Sequence, residues 1–598
     1  MKEFLVLDIE VLPNYFLIAF RKESTGDVLK IDMIGTNTRL LPQQKTKINN
    51  LLKKYITIGY NSNNYDMPLI NYALSSARCK DIYNVSKKIV DKGMPSWMTY
   101  RDMDIKDRGY DHIDIKDPAP AVMISLKNYG TRVGSKKLQE FYLDPHTPIQ
   151  SNQIEPFKEY CINDLVVTSD LFNKIKERID LRIAMSEDYG IDLRSKSDAQ
   201  IAEAVITSEL GKVGVEAKRL DFDKSYRPRY KAPKYIQFKS DELNQLLVLV
   251  QTVRFDIADN GQIKLPKALS NYKICIGNTK YKIGIGGLHS QEKSLCKVSD
   301  DEKTMCNADF ESYYPFIIIN QRLFPKHLGR KFLYVYEKIV KKRLHAKKNG
   351  NKVVSDSLKI VINGAFGKFG SKYSKLYSPD LLLATTITGQ LTLLMLIEQL
   401  ELNGIEVVSA NTDGVEFYCD REKLPLAETI IFDIELITGY NMDYSTYKGL
   451  YAANVNNYVS VADDGTTKAK GIYAETTLSK GRSTPIVYTA IREHLSKNIP
   501  LVTTIRQCKD MNEFVAARTV NGGATYNDEF LGKMVRWYYS TNGATIHYAT
   551  NGNLVPKTGE GNGVVPMMDL IDIPSDLDYQ WYIDEAISKL KDLGVSYE

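Results

Sequence analysis

The sequence predicts a multidomain protein built from α/β and α+β domains. Its 598 residues are too many for one hydrophobic core. The hydrophobic content of 43% and the charged content of 25% are typical of globular proteins. Strand-like and helix-like segments alternate up to about residue 185, as in an α/β domain, whereas strand-like segments enclose two strongly helical stretches between residues 281 and 475.

Cysteine usage and the apolar segments argue against several protein classes. The seven cysteines contain no CxxC pair, which argues against a zinc knuckle or a disulfide framework and favours a reducing cytoplasm. The N-terminal run MKEFLVLDIEVL contains acids, unlike a signal peptide. The most apolar window, 381–400, contains Gln390 and Glu398 and follows Ser-Pro-Asp, so it predicts a buried helix and not a membrane span.

Four acids and a tyrosine in the N-terminal region form the first candidate site. Alternation along the predicted strand FLVLDIEV places Asp8 and Glu10 on one face, and a predicted helix, EYCINDLVV, places Tyr160 and Asp164 one turn apart. If the acids converge, they can hold two divalent cations that hydrolyse a phosphodiester, with Tyr160 orienting the water. The alternative is that DIE is a strand end and that the other acids are solvated surface residues, and the D-x-E pair alone is a weak signal. The full set is Asp8, Glu10, Asp66, Asp164 and Tyr160, with Asn61 and Tyr65 beside Asp66.

A second pair of acids lies roughly 300 residues further along the chain. NADFESYYPFIII places Asp309 at the end of an apolar strand. SANTDGVEF places Asp413 at the tip of a predicted β-hairpin. If the two strands are neighbours in one sheet, the carboxylates form a two-metal site for joining phosphodiesters. The alternatives for the single residues are a helix cap for Asp309 and a surface turn for Asp413.

The positive charge is concentrated between these two acids. Residues 330–352 contain nine Lys or Arg and one acid. Arg343 and Lys347 lie four apart on one predicted helix, and Lys359 and Asn363 lie four apart on a second helix beyond an Asn-Gly-Asn turn. Two antiparallel helices of this kind can clamp the β- and γ-phosphates of a triphosphate. A solvated basic helix is the alternative. Gly364 and Gly367 are predicted to keep the backbone accessible.

Together, these motifs resemble those of family B DNA polymerases of the bacteriophage type with a proofreading exonuclease domain, in collinear order from residue 8 to about residue 590. DxE, Nx3YD and Yx3D resemble the three exonuclease motifs, and DFESYYP resembles the first polymerase motif, DxxSLYP. KIVINGAFG is similar to Kx3NSxYG, and YKIGIGG to the YxGG segment. The family's hairpin usually reads YxDTDS, so Asn411 replaces its first acid.

The resemblance implies an RNase H-like exonuclease domain followed by the palm, fingers and thumb of a polymerase right hand. It further implies two Mg²⁺ per active site, with Mn²⁺ as a substitute. The predicted domains are 1–185 (exonuclease), 186–280 (linker and start of the palm), 281–330 (palm, first part), 331–372 (fingers), 373–475 (palm, second part) and 476–598 (thumb).

The resemblance also assigns roles to residues. Metal ligands are Asp8, Glu10, Asp66 and Asp164 in the exonuclease and Asp309 and Asp413 in the polymerase. The dNTP contacts are Ser312, Tyr313, Tyr314, Arg343, Lys347, Lys359 and Asn363, with Tyr314 packing under the sugar. The DNA contacts are Asn61, Tyr65, Gly286, Gly287, Phe366, Gly367 and Tyr458.

Two positions depart from the family pattern. Asn411 is expected to lie behind the metal ligands, so that Asn411→Asp stays active. The usual Lys-x-Tyr primer contact reads Asn456-x-Tyr458, which leaves Lys448 or Lys470 to replace the lysine.

The expected partners are primer–template DNA and dNTPs, with a primase, a helicase and a single-strand-binding protein. We expect a monomer in the host cytoplasm that copies a bacteriophage or mobile-element genome, since no domain precedes the exonuclease. A protein-primed polymerase, a polymerase-inactive replisome subunit and a stand-alone exonuclease are the alternatives. The gaps on either side of Lys359, to Asp309 and to Ser409, are 50 residues each, which leaves no room for a protein-priming insertion.

Overall fold

The chain forms two compact units, each containing β-sheet and helices. The computed structural model describes residues 2–121, 123–141, 143–221, 223–481 and 483–597. The first unit comprises Met1–Ser197, Thr476–Ile486 and Arg506–Tyr582, and the second comprises Asp198–Glu475, Val487–Ile505 and Ile583–Glu598. The predicted multidomain α/β architecture is confirmed at this level. The finer division into six domains stays a prediction.

The helices and strands follow in chain order. Up to residue 197 they are β1 (Phe4–Leu12), β2 (Tyr15–Lys22), β3 (Val28–Ile34), α1 (Pro42–Lys54), β4 (Ile56–Gly59), α2 (Asp66–Leu74), α3 (Cys79–Lys92), α4 (Ser96–Asp102), β5 (His112–Asp114), α5 (Leu126–Val133), α6 (Ile154–Lys174) and α7 (Lys176–Tyr189). From residue 198 they are α8 (Asp198–Lys212), α9 (Asp241–Thr252), β6 (Asp256–Ile257), β7 (Ile263–Lys264), α10 (Lys267–Ser270), β8 (Ile274–Ile276), β9 (Thr279–Ile283), β10 (Leu288–Ser290), β11 (Leu295–Val298), β12 (Lys303–Phe310), α11 (Tyr313–Asn320), α12 (Arg330–Lys348), α13 (Lys352–Phe369) and α14 (Pro379–Leu402). The remainder are β13 (Glu406–Asn411), β14 (Gly414–Asp420), α15 (Leu424–Thr438), β15 (Met442–Asn454), β16 (Asn457–Ala462), β17 (Thr467–Lys470), α16 (Pro485–Lys497), α17 (Leu501–Gln507), β18 (Ala516–Tyr526), β19 (Glu529–Ala544), β20 (His547–Tyr548), β21 (Val564–Pro566) and α18 (Tyr579–Asp592).

The first unit contains a five-stranded sheet in the order β3-β2-β1-β4-β5. Strands β1, β2 and β3 are antiparallel, whereas β4 and β5 run parallel to β1. A tight turn at residues 13 and 14 joins β1 to β2, since Leu12 pairs with Tyr15 across it. Helix α6 packs against β1 and β2, which brings its inward face to the middle of the sheet. A separate four-stranded sheet, β20-β18-β19-β21, belongs to the same unit.

The second unit contains a ten-stranded sheet. Nine of its strands follow the order β17-β16-β15-β12-β14-β13-β10-β9-β8, and β11 pairs with β15. Strand β12 in its centre is antiparallel to both neighbours, β14 and β15. One hydrophobic core contains buried residues from this sheet together with buried residues from helices α14 and α15. The centre of this sheet therefore provides a rigid base for side chains at the end of β12.

Helix α14 is the predicted apolar helix of window 381–400. The Ser378 hydroxyl accepts a hydrogen bond from the Leu381 amide and caps its N-terminus. The helix is long and apolar enough to cross a membrane, but 83% of its most apolar window is buried inside the protein, as expected of a core helix. Glu398 is buried on this helix. Its carboxylate accepts hydrogen bonds from the Lys239 and Ser240 amides, which offset the cost of burying it.

The basic helical hairpin is present as α12 and α13, joined by the turn around Gly350, whose φ is +68°. Gly364 corrects one expectation, because it packs instead of leaving backbone open. A Cβ at Gly364 would lie 2.5 Å from the Asp198 carbonyl oxygen on α8. Gly367 is exposed with nothing within 4 Å of such a Cβ, as expected. All seven cysteines are free thiols in this structure.

Candidate active sites

The four predicted acids of the first unit converge on one face of its five-stranded sheet. Asp8 and Glu10 project from β1, Asp66 begins α2, and Asp164 lies on α6. Burial raises the pKa of Asp8 well above its usual value, and repulsion from Asp66, Glu10 and Asp164 raises it further. Ligand oxygens of Asp8 and Glu10 lie within 4.8 Å of each other, so the predicted pairing of these two acids is present.

The electrostatics of this cluster favour a bound cation. Burial, followed by repulsion from Asp114, raises the pKa of Asp66 to about 8, and burial raises the pKa of Asp164 to about 6. Carboxylate Oδ1 of Asp164 is buried and has no hydrogen-bond partner among the described residues. A divalent cation would satisfy this oxygen and offset the repulsion, so the donor set fits Mg²⁺.

Sequence reasoning missed two side chains at this cluster. Lys127, at the start of α5, donates from Nζ to the Tyr160 hydroxyl at 2.9 Å and lies 4.0 Å from the centre of its ring. The Cys161 thiol donates to Asp8 Oδ2 at 3.6 Å, and its sulfur lies within 4.8 Å of ligand oxygens of Asp8 and Glu10. No local pattern distinguishes Lys127 in the sequence. Cys161 had a signal, because it directly follows the predicted site residue Tyr160.

Asn61 and Tyr65, the predicted DNA contacts of this unit, are engaged within the protein. Asn61 accepts a hydrogen bond from Lys116 Nζ at 2.8 Å. The Tyr65 hydroxyl is 2.7 Å from Ser86 Oγ, and its ring packs against the buried core. Both residues help to fix the segment that precedes Asp66.

In the second unit, strand pairing brings Asp309 and Asp413 together. Asp309 on β12 is directly opposite Gly414, the first residue of β14, and the Phe310 amide donates to the Asp413 carbonyl at 2.8 Å. Asp413 is exposed at the hairpin tip, but partial desolvation and repulsion from Asp309 raise its pKa. A Cβ at residue 414 would lie 1.6 Å from Asp309 Oδ1, so this chain uses glycine there. The predicted adjacency of the two acids is present.

The hairpin tip is held by the segment before β10. Thr412 has a φ of +65°, and its amide donates to the Leu288 carbonyl at 2.8 Å. A Cβ on Gly287 would lie 2.7 Å from Thr412 Oγ1, whereas a Cβ on Gly286 would meet nothing within 4 Å. Gly287 is therefore required by the hairpin, a reason that differs from the expected access for template DNA.

A third carboxylate, Glu416, faces the same side of the sheet as Asp309. Glu416 is opposite Asn307 in the register of β12 and β14, and Asn307 Nδ2 donates to both Asp309 Oδ1 and Glu416 Oε1 at 3.3 Å. Sequence reasoning missed Glu416 and Asn307. The signal was the two-residue alternation of a strand, which places Asn307 with Asp309 and Glu416 with Gly414.

A cavity of about 300 Å³ lies beside Asp413 and is of a size suited to a small ligand. Tyr314 and Phe366 stack in it with ring centres 4.6 Å apart. Tyr313 is buried, and its hydroxyl donates to the Gly389 carbonyl at 2.7 Å, so it supports Tyr314 from behind. The lining residues are Ser312, Tyr313, Tyr314, Pro315, Tyr336, Arg343, Ile362, Asn363, Phe366, Thr412 and Asp413.

The predicted phosphate-binding cations divide into two groups. Arg343 lines the cavity and donates from Nη1 to Ser312 Oγ at 2.9 Å. Lys347 forms an ion pair with Glu311 at 2.7 Å, and Lys359 is exposed on α13 outside the lining. The amides of Phe310 and Glu311 donate to the backbone carbonyls of Asp413 and Asn441, so these two amides are engaged within the protein.

A second cavity of about 310 Å³ lies on the other side of Asp413 and is lined by Asp309, Glu416, Tyr458, Lys468 and Lys470, among others. Lys470 is opposite Tyr458 in the pairing of β16 and β17. Lys448 does not line this cavity, which favours Lys470 as the replacement for the expected lysine. Asn411 also lines it, and its Nδ2 donates to the Val455 carbonyl at 3.2 Å.

The chain is similar in sequence to known DNA polymerases over part of its length. No protein-family model matches the chain. The chain is 29% identical over 166 residues to "DNA polymerase 1" of Sulfurisphaera ohwakuensis, covering 27% of this chain and 17% of that protein. It is 31% identical over 140 residues to "DNA polymerase 1" of Sulfolobus acidocaldarius, covering 22% and 15%. The chain therefore matches less than a fifth of the length of these curated relatives.

A solved structure, that of the family B DNA polymerase from the hyperthermophilic archaeon Pyrobaculum calidifontis, aligns with 100% of this chain and 78% of its own chain, at a TM-score of 0.42 and 14% identity. Over roughly a quarter of its length, the chain is thus similar in sequence to archaeal proteins named DNA polymerase 1.

Proposed function

We propose that the chain is a family B, DNA-dependent DNA polymerase that extends a primer with dNTPs and proofreads with a 3′–5′ exonuclease. One observation carries this proposal. Antiparallel pairing of β12 and β14 brings Asp309 to the Asp413 hairpin, beside a cavity lined by Arg343, Tyr314 and Phe366. The sequence similarity to archaeal DNA polymerases supports the same assignment.

The polymerase site is suited to two Mg²⁺ ions. Asp309 and Asp413 offer the carboxylate oxygens that Mg²⁺ prefers, and the buried Oε2 of Glu416 lacks a hydrogen-bond partner in the described part of the chain. When bound, the ions would supply Lewis-acid stabilisation of charge on the reacting phosphates. Mn²⁺ is the expected substitute.

The residues of the chain itself would bind and orient the nucleotide. In the proposed arrangement the stacked rings of Tyr314 and Phe366 border the sugar and base. Arg343 contacts the triphosphate from inside the cavity, and Lys347 exchanges Glu311 for a phosphate. Tyr458 and Lys470, which line the second cavity, would contact the primer strand.

The exonuclease proposal rests on the first unit alone. Asp8, Glu10, Asp66 and Asp164 would hold two Mg²⁺ ions there. Tyr160, hydrogen-bonded to Lys127, would orient the attacking water. The remaining expectations, namely a nucleic-acid primer, a monomer, replication partners and a bacteriophage or mobile-element genome in the host cytoplasm, stay predictions from the sequence.

A primer-extension assay tests the proposal. Wild-type protein, Mg²⁺ and a 5′-labelled primer–template should give a longer product with all four dNTPs and a shortened primer without them. A polymerase-inactive replisome subunit or a stand-alone exonuclease would not extend the primer under any of these conditions. A protein-primed enzyme would require a terminal protein to start synthesis on a template without a primer.

A further inference from the structure

Glu416 lies next to the proposed polymerase ligands without being one of the acids assigned to them. It is the third residue of β14, and the intervening Val415 is buried on the opposite face of the strand. Its carboxylate therefore points to the face of the sheet that carries Asp309. Both residues line the cavity of about 310 Å³ that also contains Asp413.

One amide group positions Glu416 relative to Asp309. Asn307 Nδ2 has two hydrogens and is 3.3 Å from both Asp309 Oδ1 and Glu416 Oε1. The amide therefore holds two carboxylates side by side, each through one oxygen. Two like charges held this closely repel each other unless a cation lies between or beside them.

The second oxygen of Glu416 is unsatisfied. Oε2 is buried, and the described chain offers it no hydrogen-bond partner. A buried carboxylate oxygen without a partner is costly, and in native proteins such an oxygen usually binds a cation or a water molecule. Lys468 lines the same cavity but forms no ion pair with Glu416 within 4.0 Å among the described residues.

We propose that Glu416 is a third carboxylate of the polymerase cation site, with Oε2 facing a divalent cation and Asn307 holding the side chain in place. This inference rests on the proposed polymerase function and deepens it. Glu416 adds a third negative charge beside Asp309 and Asp413, in a chain that lacks the usual first acid of the hairpin because Asn411 stands there. In this chain the third negative charge is therefore carried by Glu416 on β14 and not by residue 411 on β13.

The test measures binding of Mn²⁺ alone, without turnover. All proteins carry Asp8→Ala and Glu10→Ala, so that cations bound by the exonuclease do not contribute. The decrease in the electron paramagnetic resonance signal of free Mn²⁺ gives the dissociation constant. Glu416→Gln should weaken Mn²⁺ binding by about tenfold, the scale of losing one group that tunes a metal site. The matched control is Glu406→Gln, an acid in the same sheet that already pairs with Lys297 at 2.8 Å.

Thermal unfolding gives a second readout. With EDTA, Glu416→Gln should melt no lower than the parent protein, because it removes a negative charge that is held beside Asp309, while its amide oxygen can keep the hydrogen bond from Asn307. With saturating Mn²⁺, its increase in melting temperature should be smaller than that of the parent. If Glu416 served instead to hold Lys468, Glu416→Gln would melt lower in EDTA and bind Mn²⁺ normally, which overturns the proposal.

Further variants separate this inference from the proposed function. If Glu416→Gln does not fold, Glu416→Asp decides: its shorter side chain should also weaken Mn²⁺ binding, and an unchanged dissociation constant overturns the proposal. If Asp413→Ala weakens Mn²⁺ binding but Glu416→Gln does not, only the role of Glu416 is wrong. If wild-type protein extends no primer and Asp413→Ala binds Mn²⁺ normally, the proposed polymerase itself is wrong.

Discussion

At the scale of single residues, neighbouring side chains with similar chemistry have different surroundings. Both tyrosines line the cavity of about 300 Å³, but Tyr314 stacks on Phe366, whereas Tyr313 is buried and its hydroxyl donates to the Gly389 carbonyl. Gly389 permits this arrangement, since a Cβ there would approach both rings within 3.3 Å. The two tyrosines of DFESYYP therefore differ in their packing, and Tyr313 supports Tyr314 from behind.

Tyr314→Ala should reduce discrimination against ribonucleotides. In the proposed arrangement the ring packs against C2′ of the sugar, where a 2′-hydroxyl would clash. Removing the ring should raise rNTP incorporation relative to dNTP incorporation by ~10–100-fold, the range for one steric contact in a specificity pocket. Single-nucleotide incorporation kinetics measure the ratio. Tyr313→Phe is the control and should keep the wild-type ratio, and unchanged selectivity in Tyr314→Ala would remove Tyr314 from this role.

Asn411→Asp should now be more harmful than the sequence alone suggested. The Asn411 amide donates to the Val455 carbonyl, and an ionised aspartate cannot donate. Two oxygens would then face each other beside the catalytic hairpin, at a cost of about 1–3 kcal/mol. We expect primer-extension rates to fall in the order wild type, Asn411→Ala, Asn411→Asp. An Asn411→Asp protein that extends primers as fast as wild type would restore the expectation from the sequence.

At the scale of elements, β-strand register and close backbone contacts position the carboxylates. The hairpin of β13 and β14 carries Asp413 on a two-residue tip that contacts the segment before β10. Gly287 and Thr412 lie so close together that a Cβ at residue 287 would be 2.7 Å from Thr412 Oγ1. The neighbouring Gly286 lacks such a contact, so the pair offers a matched comparison.

Gly287→Ala should impair extension, and Gly286→Ala should not. The added Cβ at residue 287 would lie 3.1 Å from the Thr412 Cα, so the hairpin tip and Asp413 must shift. Displacing a positioned catalytic group by a fraction of an ångström costs ~10-fold or more in rate. Extension and exonuclease rates of both variants measure the effect, and the exonuclease rate should be unchanged. Equal loss of extension in both variants would instead favour template access as the reason for the two glycines.

A buried histidine on β5 makes the stability of the first unit depend on pH. His112 on β5 is buried, with Nδ1 2.9 Å from Thr57 Oγ1 on β4 and Nε2 2.6 Å from Ser62 Oγ. Burial, followed by the charge of Arg194, lowers the pKa of His112 from 6.5 to about 3. Because the folded-state pKa is the lower one, the unfolded chain binds the additional proton between these values. The buried neutral His112 therefore makes its full contribution to the free energy of unfolding above pH 6.5. That contribution is lost as the pH falls towards 3, because protonation of His112 favours the unfolded chain.

His112→Gln should therefore reduce the pH sensitivity of the first unit. Glutamine can keep hydrogen bonds to the two hydroxyls but does not titrate. The stability advantage of wild type over the variant should be largest above pH 6.5 and should shrink by up to about 1.4 kcal/mol per pH unit below it. Calorimetric unfolding of both proteins at pH 7.5, 6.5 and 5.5 measures the difference. Parallel profiles of the two proteins would contradict this assignment.

At the scale of the whole molecule, the two carboxylate clusters belong to different compact units. Asp8 and its neighbours lie in the first unit, and Asp309, Asp413 and Glu416 lie in the second. Each cluster has its own sheet and its own buried core. Among the described residues, the elements that carry each cluster belong to the same unit as that cluster.

The two proposed activities should therefore be separable by mutation. Asp413→Ala should abolish primer extension and keep 3′–5′ degradation of single strands. Asp8→Ala combined with Glu10→Ala should abolish degradation and keep extension. Each loss should exceed ~10²-fold, because removing a metal ligand also removes charge stabilisation in the transition state. A folded variant that loses both activities would show that the two-site proposal is wrong.

The sequence by itself determined the elements that carry the acids. Alternation in FLVLDIEV, the hairpin signal in SANTDGVEF and the helix start before residue 379 depend on local periodicity and turn chemistry, and all three elements are present. The tertiary structure decided which residues share a site. Lys127, Asn307 and Glu416 reach the carboxylates through strand pairing and helix packing between distant segments. Gly287 and Gly364 are required by contacts with other elements, and such long-range contacts leave no local periodicity in a single sequence.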